Sequence, residues 1–278
     1  MGNPKVVIVI VTWNKKNFVL NILNSLGKLD YDNFEIIVVD NASTDGTVDS
    51  VKEEYPDTYL IVNEHNLGGT GGFNTGINYV LNTEKHFDYL WLLDNDADIE
   101  TNTLTEIIEV MEKDSSVGLA GSRIVDPENK DITIELGSKF RWDTIDVTPF
   151  KRNTKNNPKN LVAEVDYVAV CSAVARVEAL KKVGPMDERH FLFWDDMDWG
   201  LYFKEKGYKV VAVNGSIAYH PSFTERRRGK ITDYYYGIRN PLLVYSKHTK
   251  MFQRTKIFFN FFRRLLKIIL LLRFTNCK

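Results

Sequence analysis

Val6-Val7-Ile8-Val9-Ile10-Val11-Thr12-Trp13-Asn14 is the stretch on which the fold turns. Six β-branched residues in a row show no polar alternation, so the segment reads as a strand buried on both faces of a parallel sheet. Outward from it the same unit repeats. A helical stretch with Phe18, Ile22, Leu23 and Leu26 follows, then a strand over 34–39 and a helix that Asp45-Gly46-Thr47 opens and that runs to about 54. A strand over 59–62, a helix over 70–81 and a strand over 87–93 complete the pattern. Strands alternating with helices predict an α/β chain with a mostly parallel central sheet flanked by helices. Functional groups in such sheets gather at the carboxyl ends of strands, here Thr12-Trp13-Asn14, Asp40-Asn41-Ala42-Ser43, residues 63–66 and residues 94–98.

Composition narrows the class. The 278 residues carry 36 Lys or Arg against 37 Asp or Glu and are 44% hydrophobic, which excludes disorder, collagen-like sequence and a disulfide scaffold. Cys171 and Cys277 are too few for a framework and predict a reducing compartment. The apolar run at 6–11 passes into Thr12 and Trp13 without a cleavage site, so no signal peptide is expected. Beyond Gly121 the alternation weakens: residues 126–158 read as a polar excursion or hairpin, and a strand over 165–170, a helix over 196–206 and a strand over 209–213 resume the core.

Chemistry concentrates in four places. Asp94-Asn95-Asp96-Ala97-Asp98 sets three acids at alternate positions after a hydrophobic strand, a charge density that a divalent cation relieves; oxygen ligands suit Mg²⁺ or Mn²⁺. A calcium loop fails, because Ile99 and Thr105 stand where Gly and Glu are needed, and a solvated acidic turn before a helix from Thr101 or Asn102 is the plainer alternative. Trp194-Asp195-Asp196-Met197-Asp198-Trp199 embeds carboxylates among aromatics, which raises their proton affinity and suits a general base; a helix cap is the alternative. His220, before Pro221, is a metal-ligand candidate or an ordinary turn histidine. Asn66-Leu67-Gly68-Gly69-Thr70-Gly71-Gly72-Phe73 places glycines before a helix, where backbone can approach a phosphate or sugar; it is neither a P-loop nor a dinucleotide fingerprint.

In this order the motifs, with Tyr236-Gly237-Ile238-Arg239-Asn240, resemble the family 2 glycosyltransferases of the GT-A fold, most nearly the bacterial galactofuranosyltransferases and related rhamnosyltransferases. The resemblance implies an inverting, metal-dependent transfer of galactofuranose or rhamnose from a UDP- or dTDP-linked donor to a glycan or lipid-linked glycan. It implies that Thr12, Trp13, Asn14, Asp40, Asn66, Gly68, Gly69, Gly72, Asp94, Asn95 and Asp96 bind the donor, Asp40 at the base. Asp94, Asp96 and His220 correspond to ligands of Mn²⁺ or Mg²⁺, with Asp96 and Asp98 competing for direct contact. Asp196 corresponds to the catalytic base with Asp195 beside it, and Trp194, Asp195, Asp198 and Trp199 to acceptor contacts. A non-catalytic scaffold of the same fold and a metal-dependent nucleotidyltransferase are the rival functions.

The expected organisation is a catalytic domain over 1–224, with a nucleotide-sugar half at about 1–122 and an acceptor half at about 161–224, followed by a basic helical tail over 225–278. From 226 to the end there are fourteen Lys or Arg and one acid, Asp233. Phe252, Phe258, Phe259, Phe261 and Phe262 alternate there with a polar stripe of Asn260, Arg263, Arg264 and Lys267, an interfacial pattern too interrupted to span a membrane. The tail is therefore expected on an anionic membrane surface, placing the protein on the cytoplasmic face of the cell membrane; a packed or dimer-forming helix, and hence a homo-oligomer, is the alternative. The continuous apolar face speaks against nucleic acid.

Overall fold

The structure, a computed structural model, describes residues 2–151, 154, 158–220, 231–249 and 262. The parallel half is built as its pattern predicts: β1 (Val6–Thr12), α1 (Lys16–Leu26), β2 (Phe34–Asp40), α2 (Thr47–Glu54), β3 (Tyr59–Val62), α3 (Gly68–Asn82) and β4 (Tyr89–Asp94). There follow β5 (Asp98–Ile99), α4 (Thr103–Lys113), β6 (Val117–Val125), β7 (Thr133–Glu135), and a hairpin of β8 (Ser138–Arg141) and β9 (Asp146–Pro149). The chain continues through β10 (Val162–Val165), β11 (Ser172–Arg176), α5 (Val177–Val183), a 3₁₀ turn at Glu188–His190, α6 (Asp195–Glu205), β12 (Lys209–Tyr219) and α7 (Ile231–His248).

The sheet runs β10-β12-β6-β11-β4-β1-β2-β3. Neighbours from β4 to β3 are parallel, while β11 enters antiparallel to both β4 and β6 and makes the sheet mixed. Strand β1 shows why the sequence there lacks alternation. Val7 and Val9 pack with Phe73 and Ile77 of α3, and Ile8 and Ile10 pack with Ile22 and Leu26 of α1. Both faces are dry, and each fully buried aliphatic side chain contributes about 1.5–3 kcal/mol.

Three expectations need correction. In α1 Val19, not Phe18, completes the inward stripe with Ile22, Leu23 and Leu26; Phe18 is exposed, with the Lys15 ammonium over its ring. The strand expected over 165–170 is interrupted, since β10 ends at Val165 and β11 begins at Ser172. Asp166 is the reason: its carboxylate accepts the Phe140 N–H at 2.8 Å and pairs with Lys204, and its own N–H goes to Ser138 O, so it leaves the ladder. The glycines at 68–72 lie inside the first turns of α3 rather than before it. A Cβ at Gly72 would sit 2.5 Å from Val11 Cγ1, and at Gly76 2.3 Å from Val9 Cγ1, so these glycines let α3 lie directly on β1.

Gly76→Ala is accordingly expected to destabilise the fold by about 1–3 kcal/mol through overpacking, read as a lower urea midpoint. Among the described residues no helix is long and apolar enough to cross a membrane. The tail's interfacial stripe, Arg226–Arg228 and all but Phe262 of its aromatic run lie outside the described residues.

Candidate active site

Register brings the strand ends into one row. Thr12 pairs with Asp40 across β1 and β2, Val11 with Asp94 across β1 and β4, and Asp40 with Val62 across β2 and β3. Side-chain amides knit the row together: Asn95 Nδ2 donates to Thr12 Oγ1 at 2.9 Å, Asn63 Nδ2 to Asn41 Oδ1 at 2.7 Å, and Asn41 Nδ2 to Gly68 O at 2.9 Å. Above it opens a cleft of about 290 Å³ whose walls include Thr12, Trp13, Asn66, Gly68, Gly69, Asp94 and Asn95. Trp13 is 51% exposed, a ring face available for stacking. The N-terminus of α3 opens on the cleft, and a Cβ at Gly69 would meet nothing within 4 Å, so backbone is accessible at the positive end of a helix.

Some expected donor residues sit elsewhere. Gly72 packs on Val11 and Asn41 and is not among the walls of this cleft. Asn14, at φ 51°, accepts the Thr44 N–H at 2.7 Å and holds the neighbouring turn. Asp40 is fully buried; its Oδ1 accepts the Ser43 N–H at 2.8 Å, while Oδ2 has no hydrogen-bond partner, and Asn41 is the wall residue beside it. Lys15, Phe73, Phe191 and Leu192 also line the cleft. Phe73 closes the glycine-rich motif, whereas no motif pointed to Lys15, Phe191 or Leu192.

The antiparallel pairing of β12 with β5 helps assemble the cation cluster. Tyr219 at the end of β12 pairs with Asp98 of β5, and His220 N donates to Val125 O, which swings the imidazole over the turn after β4. His220 Nε2 lies 3.4 Å from Asp94 Oδ2 and 3.3 Å from Asp96 Oδ1, with all three ligand atoms within 4.8 Å of one another. Two carboxylates and one imidazole at that spacing fit a shared divalent ion bound at about 2.0–2.2 Å. Asp98 is exposed, accepts its neighbour Ile99's N–H at 3.0 Å and is not part of the group, so the structure brings Asp96 and not Asp98 to His220.

Helix α6 begins with the acid pair, three residues after the cleft-lining Leu192; neither acid is itself among the walls of that cleft. Asp195 is buried and accepts the Thr70 hydroxyl at 2.8 Å, tying α6 to α3. Burial raises its pKa, against the pull of Thr70 and His190. Asp196 is partly buried and its pKa is raised well above the ordinary 3.8, first by desolvation and then by the negative charge of Asp195, Glu135 and Asp94. The last of these puts the acid pair within electrostatic reach of the cation cluster.

The sequence profile of glycosyl transferase family 2 matches residues 7–184. The chain belongs to that family. This family 2 glycosyltransferase is 23% identical over 278 aligned residues to galactofuranosyltransferase GlfT2 of Mycolicibacterium smegmatis, an alignment covering 89% of this chain and 42% of that protein. It is 22% identical to the Mycobacterium tuberculosis enzyme of the same name, covering 68% and 32%. The chain thus spans well under half the length of these relatives. With the N-acetylglucosaminyl-diphospho-decaprenol L-rhamnosyltransferase of M. tuberculosis it shares 21% identity, over 77% of this chain and 75% of that one. Among solved structures, the mannosyltransferase PcManGT from Pyrobaculum calidifontis, in complex with GDP-Man and Mn²⁺, superposes with TM-score 0.57 at 17% identity, covering 95% and 81%. S. aureus TarS in complex with UDP gives 0.59 at 15%, covering 91% and 68%. The fold is GT-A.

In this family 2 chain Asp198 and Trp199, expected as acceptor contacts, are buried at 1% exposure each and bonded within the protein. Trp199 packs edge-on to Phe203, and its Nε1 donates to Gly184 O at 3.0 Å. Asp198 binds the end of α7: His248 Nε2 is 2.7 Å from Oδ1, Lys247 pairs with Oδ2, and His190 Nε2 approaches Oδ2 at 3.2 Å. Desolvation opposes ionisation there, but the close imidazole of His190 and the bonds from His248 and Lys247 outweigh it and hold the carboxyl well below its ordinary range. Stability from this group is present above the ordinary carboxylate value and is lost as pH falls below it. Asp198→Asn is expected to cost about 1–3 kcal/mol, because Lys247 keeps Asp187 and His248 keeps Glu205 but both lose the charge-assisted bond to Asp198, measured as a fall in the denaturant midpoint.

Proposed function

We propose that the chain is an inverting, metal-dependent glycosyltransferase that moves galactofuranose or rhamnose from a UDP- or dTDP-linked donor to a hydroxyl of a lipid-linked cell-surface glycan. One observation carries the reading: Asp94, Asp96 and His220 converge beside a strand-end cleft, and Asp196, a carboxylate of raised proton affinity, lies within electrostatic reach of Asp94. The names of the galactofuranosyl- and rhamnosyltransferase relatives support the choice of sugar.

Trp13 and the first turn of α3 would hold the nucleoside and diphosphate, and Asp94, Asp96 and His220 would hold Mn²⁺ or Mg²⁺. A divalent ion there supplies positive charge against the nucleoside diphosphate as it leaves. Asp196 takes the proton of the acceptor hydroxyl as its oxygen bonds to the anomeric carbon. The carbon–oxygen bond to the diphosphate breaks, its electron pair leaves with the phosphate, and attack from the opposite face inverts the configuration. Trp194, partly buried at the start of α6, and Asp195 remain the acceptor-side groups in this reading.

Incubating the protein with a panel of nucleotide sugars, Mn²⁺ and polyprenyl-linked acceptors tests it. Sugar transfer with release of nucleoside diphosphate is expected; pyrophosphate release identifies a nucleotidyltransferase, and silence across the panel a scaffold. The basic tail is proposed to bring the catalytic domain to the membrane. Protein truncated after Thr249 should then lose co-flotation with anionic vesicles that the full chain retains; equal partition removes that role.

A further inference from the structure

The segment between the 3₁₀ turn and α6 is an unusual piece of backbone. Phe191, Phe193 and Trp194 have φ of 59°, 67° and 67°, a left-handed region that bulky side chains rarely occupy and that persists only where the surroundings impose it. This segment supplies Phe191 and Leu192 to the cleft and leads straight into Asp195 and Asp196.

What imposes it comes from α7, outside the stretch that matches the family profile. Asn240 is fully buried, and its Nδ2 donates to three carbonyls of the segment: His190 O at 3.0 Å, Leu192 O at 2.8 Å and Phe193 O at 2.8 Å. The orientation of this amide is unambiguous. Arg239 Nε donates to Asn240 Oδ1 at 2.9 Å, and a guanidinium offers only donors while the three carbonyls only accept. Arg239 also donates to Arg189 O and lies 5.1 Å from the centre of the Tyr236 ring, which stacks on Phe191 at 5.4 Å. From the opposite side, Gly68 leaves room for Phe191, since a Cβ there would sit 2.5 Å from its carbonyl oxygen.

We propose that Asn240, oriented by Arg239, is a positioning residue for transfer: it clamps the strained segment 190–194 and thereby sets the aim and the enclosure of the Asp196 carboxylate. The inference rests on the reading of Asp196 as the base, and it gives the Arg239-Asn240 pair a role that its distance along the chain from both acid clusters concealed. An amide with two N–H groups shared among three carbonyls has no substitute of the same shape, because aspartate would turn those donors into acceptors.

The test compares full-length wild type with Asn240→Ala, Asn240→Asp and the milder Arg239→Ala, using amide hydrogen exchange and the pH dependence of sugar transfer. Expected are faster exchange confined to residues 188–196 and a fall in kcat of about 10²-fold for both Asn240 variants, as misplacement of a catalytic group commonly produces. Arg239→Ala should change both in the same direction but less. The acid limb of the rate profile should also move down towards the ordinary carboxylate range, because Asp196 gains water while the acids facing it, Asp195, Glu135 and Asp94, stay in place. An acid limb at the wild-type position in a folded Asn240 variant, or in Arg239→Ala if the Asn240 variants do not fold, overturns the proposal even if exchange rises. Failure of the transferase reading is a different result, seen as absence of sugar transfer in the wild type.

Discussion

Asp196→Asn is expected to lower sugar transfer by about 10²- to 10⁴-fold, the usual worth of a general base, while donor binding persists. The amide keeps the shape of the side chain and its place at the start of α6, but it cannot accept a proton from an attacking hydroxyl. Stability should move the other way. Because the folded protein raises the Asp196 pKa, chiefly by burial and then through Asp195, Glu135 and Asp94, it favours the neutral form. A group of this kind supports the fold at pH below its unfolded value, and that support is lost as pH rises through its folded value. At neutral pH the buried carboxyl group is therefore a cost that asparagine removes, and the variant should melt at the same temperature or higher. The combination to look for is kcat lost, donor Kd kept and Tm not reduced. Wild-type enzyme should in turn show a rate that climbs with pH along a limb centred above the ordinary 3.8, and the limb should vanish from the residual activity of Asp196→Asn. Near-normal turnover by the folded variant removes Asp196 from the mechanism.

The parallel half of the fold was legible because its chemistry is local: an unbroken β-branched run in β1, a β-branched run from Ile36 to Val39 in β2, an apolar run from Tyr89 to Leu93 in β4, and a polar residue ending each. The strand-end row followed, since parallel register forces Thr12, Asp40 and Asp94 to one level. What could not be read depends on contacts distant in sequence. The segment 165–170 reads as a strand until Asp166 is seen to take the Phe140 N–H, and Asp198 looks like one more active-site acid until α7 delivers Lys247 and His248 to it. Phe191 and Leu192 gave no signal because a left-handed turn at phenylalanine has no propensity signature; it is imposed from Gly68 on one side and Asn240 on the other. The glycine run was recognised as a place of close approach, yet it serves two approaches at once. Gly68 and Gly69 border the cleft, while Gly72 seats the helix on β1.

Loss of any one of Asp94, Asp96 or His220 is expected to lower kcat by about 10²- to 10³-fold, the scale on which a single preorganised electrostatic contact to a developing charge is usually worth. Asp98→Asn serves as the internal comparison, because Asp98 stands one alternation further on and points to solvent; it should behave as wild type. The three positions differ in what they do without a cation. Asp94 and Asp96 converge on the same imidazole and repel each other, so Asp94→Asn or Asp96→Asn should leave the metal-free protein as stable as wild type or more so. His220→Ala removes the group that separates them and should not gain in this way. Addition of Mn²⁺ reverses the order: a ligand present at a hundred times its Kd stabilises the state that binds it by about 2.7 kcal/mol, so wild type should rise in Tm with Mn²⁺ while the three variants rise less or not at all. The thermal shift is read without donor, acceptor or turnover, and so separates a lost cation from a lost base. Equal Mn²⁺-dependent shifts in wild type and all three variants would place the ion elsewhere and return Asp94, Asp96 and His220 to the status of a polar turn.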